Sequence, residues 1–353
     1  MQNSQIIGQR ATSNSHNYAQ SQKIHIALSV YDPKGTYSQH AGVVMTSIFE
    51  NTKSPVRIYI LHDETLTQDN REKFLRTAEK YNQEVIFINV TEYAKKIQGE
   101  ALLLFQSTFS IGTAYRLFIP DLINLEKIIY LDCDIAVNLD IKELWEIDVN
   151  DYYVAAVMFY TNNNIVSRIR RKINGFPSDN HSYCNAGIMV MNLKNIRKLG
   201  NLFEISYKWL KRHLHSSPNA DNDILDIIFL GHIKPIDERL NYRVDLHTGV
   251  ELEQLNNCII HTTARPKLWE INGLPAQYIY WNYYLKSAWG ENKTREEIVK
   301  TLLDASRQET QKTKYNIFVR IYCRACNEIR RTTFGQVVAL LYNEFLYRIG
   351  LKK

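Results

Sequence analysis

With 353 residues, the chain is long enough for one full α/β core plus an appended segment, since compact domains rarely exceed about 250 to 300 residues. Its 45% hydrophobic and 23% charged residues match an ordinary globular protein and exclude disordered and collagen-like classes. The net charge of +6 gathers near the C-terminus, where no nucleic-acid module is recognisable, so no nucleic-acid partner is expected.

Residues 1–22 are polar, rich in Ser, Asn and Gln, and lack the apolar core of a secretory signal, which predicts a disordered leader. No run reaches the roughly 18 apolar residues of a membrane span. Five cysteines, Cys133, Cys184, Cys258, Cys323 and Cys326, do not form a disulfide framework and fit a cytoplasmic location. Cys323 and Cys326 make a single C-x-x-C in a basic segment of helical pattern; with no second pair, they read as helical neighbours and not as a zinc site.

Lys23 to Val30 reads as a buried strand, Ala41 to Phe49 as a helix, and Val56 to Leu61 as a second strand. A charged helix from Gln68 to Tyr81 and a strand from Val85 to Val90 follow. Strand and helix alternate, as in a mostly parallel sheet with both faces covered. A helix near Gly112 to Leu117 then leads to strands at Lys127 to Leu131, Tyr153 to Met158 and Asn185 to Asn192, and Asp223 to Leu230 reads as a helix.

The strand Lys127 to Leu131 runs into Asp132-Cys133-Asp134. Carboxylates at the end of an apolar run cost burial energy unless they face a ligand. Side chains two apart on a strand share a face, so Asp132 and Asp134 can grip one divalent cation, which can in turn hold a diphosphate. The tripeptide alone is weak evidence, because Asp221 and Asp223 make a second Asp-x-Asp in the same chain. Its position is stronger evidence, because ligands of open α/β sheets sit beyond the carboxyl ends of strands. The plain alternative is a pair of turn residues closing a strand.

From Tyr315 to Lys353 seven basic residues stand against two acidic ones. Phe334, Val337, Val338, Leu341, Phe345 and Ile349 recur at helical steps and form one apolar face. Two readings stay open: a helix lying on an anionic membrane surface from the cytoplasmic side, or one packed on the sheet with solvated arginines.

In order along the chain stand Gly112-Thr113-Ala114-Tyr115-Arg116-Leu117, Tyr130-Leu131-Asp132-Cys133-Asp134, Asn185-Ala186-Gly187-Ile188 with Asn192-Leu193-Lys194, Asp221-Asn222-Asp223-Ile224-Leu225, and His261 followed by Lys267 and Trp269. With these five motifs, residues 24 to 275 resemble glycosyltransferase family 8, retaining enzymes that include bacterial lipopolysaccharide galactosyl- and glucosyltransferases. The resemblance implies an α/β, GT-A fold over 23–280, a Rossmann-like, mixed, mostly parallel sheet flanked by helices. A helical, basic C-terminal extension over 281–353 would follow.

The resemblance also implies a site. Asp132, Asp134 and His261 would hold Mn²⁺, or Mg²⁺, with the phosphates of a UDP-hexose; Lys267 would meet the diphosphate. Arg116 would lie near the donor sugar, and Asn185 and Asp221 would hold its hydroxyls, with Cys133 between the two acids. Ser29 to Tyr37 would form the nucleoside pocket with a Tyr ring on uracil. Because this loop is longer than the family pattern, Asp32 and Tyr37 are matched less directly, and Tyr37 could instead be a core aromatic.

Each residue has a plainer role available. His261 could be a satisfied structural histidine, Lys267 a surface lysine, Arg116 an ordinary helix arginine, and Asp221 or Asn222 a helix cap. Asn222 stands where several members have Gln. An amide is a poor nucleophile, which favours internal return over double displacement and leaves Asp223 as the candidate for a covalent route. The activity so implied is transfer of galactose or glucose from UDP to a hydroxyl of a cell-surface glycan or lipid-linked acceptor. A nucleotide-sugar-binding protein of the same fold with impaired catalysis is the alternative, and a nucleotidyltransferase, releasing pyrophosphate, is a third class.

Overall fold

The computed structural model describes residues 23–97, 110–160, 182–213, 220–244, 251–263, 267–270 and 275–294, with positions 169, 172, 173, 175, 176, 297 and 300 besides. The leader, the Cys323 and Cys326 pair and the basic C-terminal segment lie outside the described residues.

The chain opens with β1 (Ile24–Val30), α1 (Ser38–Asn51), β2 (Val56–His62), α2 (Gln68–Lys80) and β3 (Glu84–Asn89). All seven residues of β1 are buried, as expected for a central strand covered on both faces. Ile24, Ile26, Leu28 and Val30 enter one core with α1, while Ala27 joins Tyr59 and Leu61 in the other. That division is the period-two alternation of a strand sharing itself between two layers.

After a 3-10 turn over Ile111–Phe118 come β4 (Lys127–Leu131), β5 (Ile135–Asn138), β6 (Val154–Ala156), β7 (Met158–Tyr160), β8 (Ser182–Cys184) and β9 (Ile188–Asn192). The rest comprises α3 (Leu202–His213), α4 (Ala220–Ile228), β10 (Ile233–Pro235), β11 (Tyr242–Arg243), β12 (Cys258–His261) and α5 (Pro275–Lys286). The main sheet has seven strands in the order β10-β6-β9-β4-β1-β2-β3. Only β9 runs antiparallel to its neighbours, so the sheet is mixed and mostly parallel, as expected. Two smaller sheets, β11-β12-β5 and β7-β8, lie outside it.

Two registers place the site. The β4–β9 ladder pairs Leu131 with Ile188, so the turn before β9 lies beside the residues that follow β4. Antiparallel pairing of β5 with β12 sets Ile135 opposite His261. The three residues between β4 and β5 are therefore the crossing from the main sheet to the second sheet. Asp132 and Asp134 sit on that bend, not on one strand face as the alternation argument supposed.

The N-terminus of α1 is capped from a distance. Tyr37, at the N-cap of α1, makes no side-chain cap, and the carboxylate of Asp32 does the work from five residues upstream, accepting from Tyr37 N–H at 2.7 Å, Ser38 N–H at 2.9 Å and Ser38 Oγ–H at 2.6 Å. A negative charge there also suits the positive end of the helix. Asn70 Nδ2 donates to the same carboxylate, and Trp289 Nε1 donates to Asn70 Oδ1 at 2.9 Å. Trp289 packs over Gly42, where any Cβ would lie 2.2 Å from its ring. Tyr283 and Tyr284 of α5 and Trp289 belong to the core that contains α1, so packing continues past residue 280, the boundary expected from sequence. Among the described residues, no helix is long and apolar enough to cross a membrane.

Candidate active site

At the crossing between sheets, Asp132, Asp134 and His261 each offer one ligand atom, all within 4.8 Å of one another. His261 is buried, while the Asp132 and Asp134 side chains keep 25% and 15% of their exposure, enough to face a cleft. His261 Nε2 lies 3.3 Å from Asp134 Oδ1, a buried oxygen with no hydrogen-bond partner. An orphaned carboxylate oxygen beside an imidazole nitrogen is a position a cation would satisfy. Two carboxylates and one imidazole, a mixed oxygen and nitrogen set, suit manganese better than calcium.

Each acid is held from behind. Arg116, 3% exposed, donates through Nη2 to Asp132 Oδ1 at 2.8 Å, through Nη1 to Ala186 O at 2.6 Å and through Nε to Thr113 O at 3.0 Å. Its guanidinium lies 4.6 Å over the Tyr130 ring, and Tyr130 Oη–H donates to the same Asp132 oxygen. Lys267 Nζ donates to Asp134 Oδ2 at 2.5 Å and to Thr262 O. Burial works to raise the Asp134 pKa, but His261 and the Lys267 ammonium outweigh it and hold the carboxyl well below its usual range. Arg116 thus grips Asp132 directly and is not an ordinary helix arginine.

The third wall is the turn before β9, expected to be strand from Asn185 and observed as strand only from Ile188. Asp132 N–H donates to Gly187 O at 2.8 Å, which ties the turn to the bend. A Cβ on Gly187 would lie 2.5 Å from His261 Cε1, 2.8 Å from Asp132 Oδ2 and 2.9 Å from Asn185 Oδ1. Only a glycine lets these three groups converge. Asn185 Oδ1 accepts from Gly187 N–H at 3.0 Å and from Asn241 Nδ2 at 3.1 Å. Asn222, on α4, accepts Ala186 N–H through Oδ1 at 2.8 Å. Asp221 shares that helix, with its side chain outside the described set, and half-buried Asp223 acts electrostatically on Tyr183 of β8.

Around the β1 end, the expected nucleoside loop divides into two roles. Asp32, 1% exposed, is turned inward as the cap of α1, and its N–H donates to Thr65 Oγ1; all its acceptor capacity serves the fold. Cys133 also points inward, its Sγ–H donating to Ser29 O, and burial pushes its thiol pKa up. Ser29 Oγ–H lies 3.3 Å from Tyr130 Oη and donates to it, the Tyr130 proton being given to Asp132, behind the acid pair. Half-buried Tyr37 meets Trp269 edge-on at 6.4 Å, and burial first, then Cys133, Asp134 and Asp132, push its hydroxyl well above its ordinary range. It packs against the core that holds α1, near enough to the acid pair to feel its charge.

Sequence reasoning missed four neighbours. His40 stacks on Trp269 at 3.6 Å between ring centroids and lies 2.6 Å from Tyr280 Oη; burial holds its pKa down at about 3, against the pull of Asp134. Tyr280 arrives from α5, and no local pattern announces it. Tyr130 was legible, because it stands two residues before Asp132. Asn241, fully buried and 2.8 Å from His261 Nδ1, carries no motif at all.

Several known proteins are similar. A putative glycosyltransferase of Haemophilus influenzae is 32% identical over 207 residues, covering 58% of this chain and 60% of that one. General stress protein A of Bacillus subtilis is 24% identical over 278 residues, 72% and 91% of the two chains. In the first of these the match spans less than two thirds of the relative's length. Among solved structures, a galactosyltransferase, LgtC, in complex with donor and acceptor sugar analogues, superposes with a TM-score of 0.61 at 20% identity, over 79% of this chain and all of that one, which shows a shared fold. The profile of glycosyl transferase family 8 matches residues 26–273, from β1 to just beyond Trp269, and the chain belongs to that family.

Proposed function

We propose that this protein is a retaining hexosyltransferase that moves galactose or glucose from a UDP-sugar to a hydroxyl of a cell-surface glycan or lipid-linked acceptor. The observation that carries the reading is the convergence of Asp132, Asp134 and His261 around an orphaned carboxylate oxygen. A divalent cation bound there, Mn²⁺ by the donor set, supplies positive charge against the UDP phosphates as the glycosidic bond breaks. Lys267, already at Asp134, is the protein's own cation for the departing diphosphate. Arg116 and Tyr130 fix the direction of Asp132 by donating to its Oδ1.

The Asn222 oxygen accepts Ala186 N–H, which commits one of its two lone pairs to the turn before β9 and weakens an already poor nucleophile. That supports internal return: the acceptor oxygen bonds to C1 from the side that UDP leaves, and its proton passes to the departing phosphate oxygen. Asp223 would then act through charge near Tyr183 and not as a covalent nucleophile. The test is the double variant Asp132→Asn with Asp134→Asn. It should abolish UDP-sugar hydrolysis and manganese-dependent UDP binding while leaving the fold intact, and unchanged binding of both ligands refutes the assignment. Elongation of a mixed acceptor library distinguishes a transferase from a binding protein, which would give no product.

A further inference from the structure

Asn241 ends a 3-10 turn, Glu238–Asn241, one residue before β11 and wholly buried. Resting on the reading of Asp132, Asp134 and His261 as a cation site, the geometry points to Asn241 as the residue that decides which nitrogen of His261 faces the cation. Side-chain amides and imidazoles have ambiguous polarity, but here it is fixed from an unambiguous end.

A backbone N–H can only donate. Gly187 N–H donates to Asn185 at 3.0 Å, so Asn185 presents its oxygen. The same oxygen lies 3.1 Å from the Asn241 amide, and two oxygens cannot face each other there, so Asn241 presents Nδ2. Asn241 Oδ1 therefore turns toward His261 Nδ1, at 2.8 Å. An amide oxygen can only accept, so Nδ1 carries a proton. In the neutral ring, the lone pair then lies on Nε2, the nitrogen 3.3 Å from the orphaned Asp134 oxygen. Without this relay the ring could place its proton on Nε2 and lose the ligand atom. All three links are buried, so water is poorly placed to substitute for any of them. The relay also joins parts that sequence keeps separate: the turn before β9, the turn before β11, and the end of β12.

Asn241 is thus a positioning residue, acting on the cation through His261. Asn241→Leu removes both halves of its role at similar volume. Asn241→Asp keeps an acceptor for Nδ1–H, its other carboxyl oxygen needing a proton to meet Asn185 Oδ1, and tests whether the acceptor half is the one that matters. Mn²⁺ binding is followed by the loss of the free-ion electron paramagnetic signal, with melting temperatures recorded in parallel. Losing such an outer partner typically costs about 10- to 100-fold in metal affinity, and that is the expected fall for Asn241→Leu, with Asn241→Asp recovering most of it.

A second measurement needs no variant. In metal-free, ¹⁵N-histidine-labelled wild type, the His261 Nδ1 should carry a proton protected from exchange. A bare Nδ1, with the proton on Nε2 alone, overturns the proposal. So does Asn241→Leu binding Mn²⁺ as wild type does, or Asn241→Asp failing as badly as Asn241→Leu. Wild type that binds no Mn²⁺ would instead overturn the cation site itself.

Discussion

Replacing Gly187 by Ala adds one methyl group at the convergence point of the site. Carbon atoms in contact sit about 3.5 to 4.0 Å apart, but this Cβ would lie 2.5 Å from His261 Cε1, 2.8 Å from Asp132 Oδ2 and 2.9 Å from Asn185 Oδ1. The imidazole would have to withdraw by about 1 Å to restore ordinary contact. It cannot swing freely, being buried and tied to Asn241, and Asp132 is pinned by Arg116 and Tyr130. Overpacking of this kind costs about 1 to 3 kcal/mol of stability. The effect on cation binding should be larger in proportion, because ligand distances tolerate only about 0.2 Å of error. Melting curves with and without Mn²⁺ and UDP measure both quantities at once, since a ligand held only by the native state raises the melting point. Gly187→Ala should melt somewhat below wild type and gain nothing from the ligands. A variant that gains as much as wild type would refute the convergence of the three side chains at Gly187.

Arg116→Lys keeps the charge but cannot reach Thr113 O, Ala186 O and Asp132 at once, so urea titration should show a loss of about 1.5 to 3 kcal/mol, the worth of one charge-assisted hydrogen bond; no loss would mean the fork is not required. Asp134 has a folded pKa below its unfolded value of about 3.9, so its contribution is present above that pH and is lost as acid approaches the folded pKa. The stability gap between wild type and Asp134→Asn should therefore shrink as pH falls below about 4, and a gap that is constant from neutral pH downward argues against the pairing with His261 and Lys267. A chain ended after residue 280 loses Tyr283, Tyr284 and Trp289, each worth roughly 1.5 to 3 kcal/mol on burial, together comparable with a typical net stability. It should show no cooperative melting, whereas a chain ended after residue 294 should melt as a folded protein; the opposite ranking would support the boundary at 280.

The order of β1 to β4 and the helices between them was legible because central parallel strands are continuous apolar runs and their helices have a different period. The candidate metal-binding set was legible as a set only through the resemblance, since no local property of His261 distinguishes it from a structural histidine. Asp32 shows the opposite failure. Its place in the loop after β1 makes it a donor candidate, while the need of α1 for an acceptor at its N-terminus turns the carboxylate inward. The residue before Ser38 is Tyr, which cannot cap, and that absence is a signal readable from sequence.

Asn241 and His40 were beyond the reach of sequence for a shared reason. Their partners are brought by long-range pairing: β5 with β12 for His261, and the docking of α5 on α1 for Tyr280. A polar residue buried by such pairing looks, in sequence, like any surface residue between apolar neighbours. The bend between β4 and β5 explains why the site forms there at all. On a continuing strand both carboxylates would point to one face of a sheet, against the layer that covers it. By leaving one sheet and entering another within three residues, the chain sets both carboxylates beside His261 of β12 and the turn before β9, and the site is assembled there.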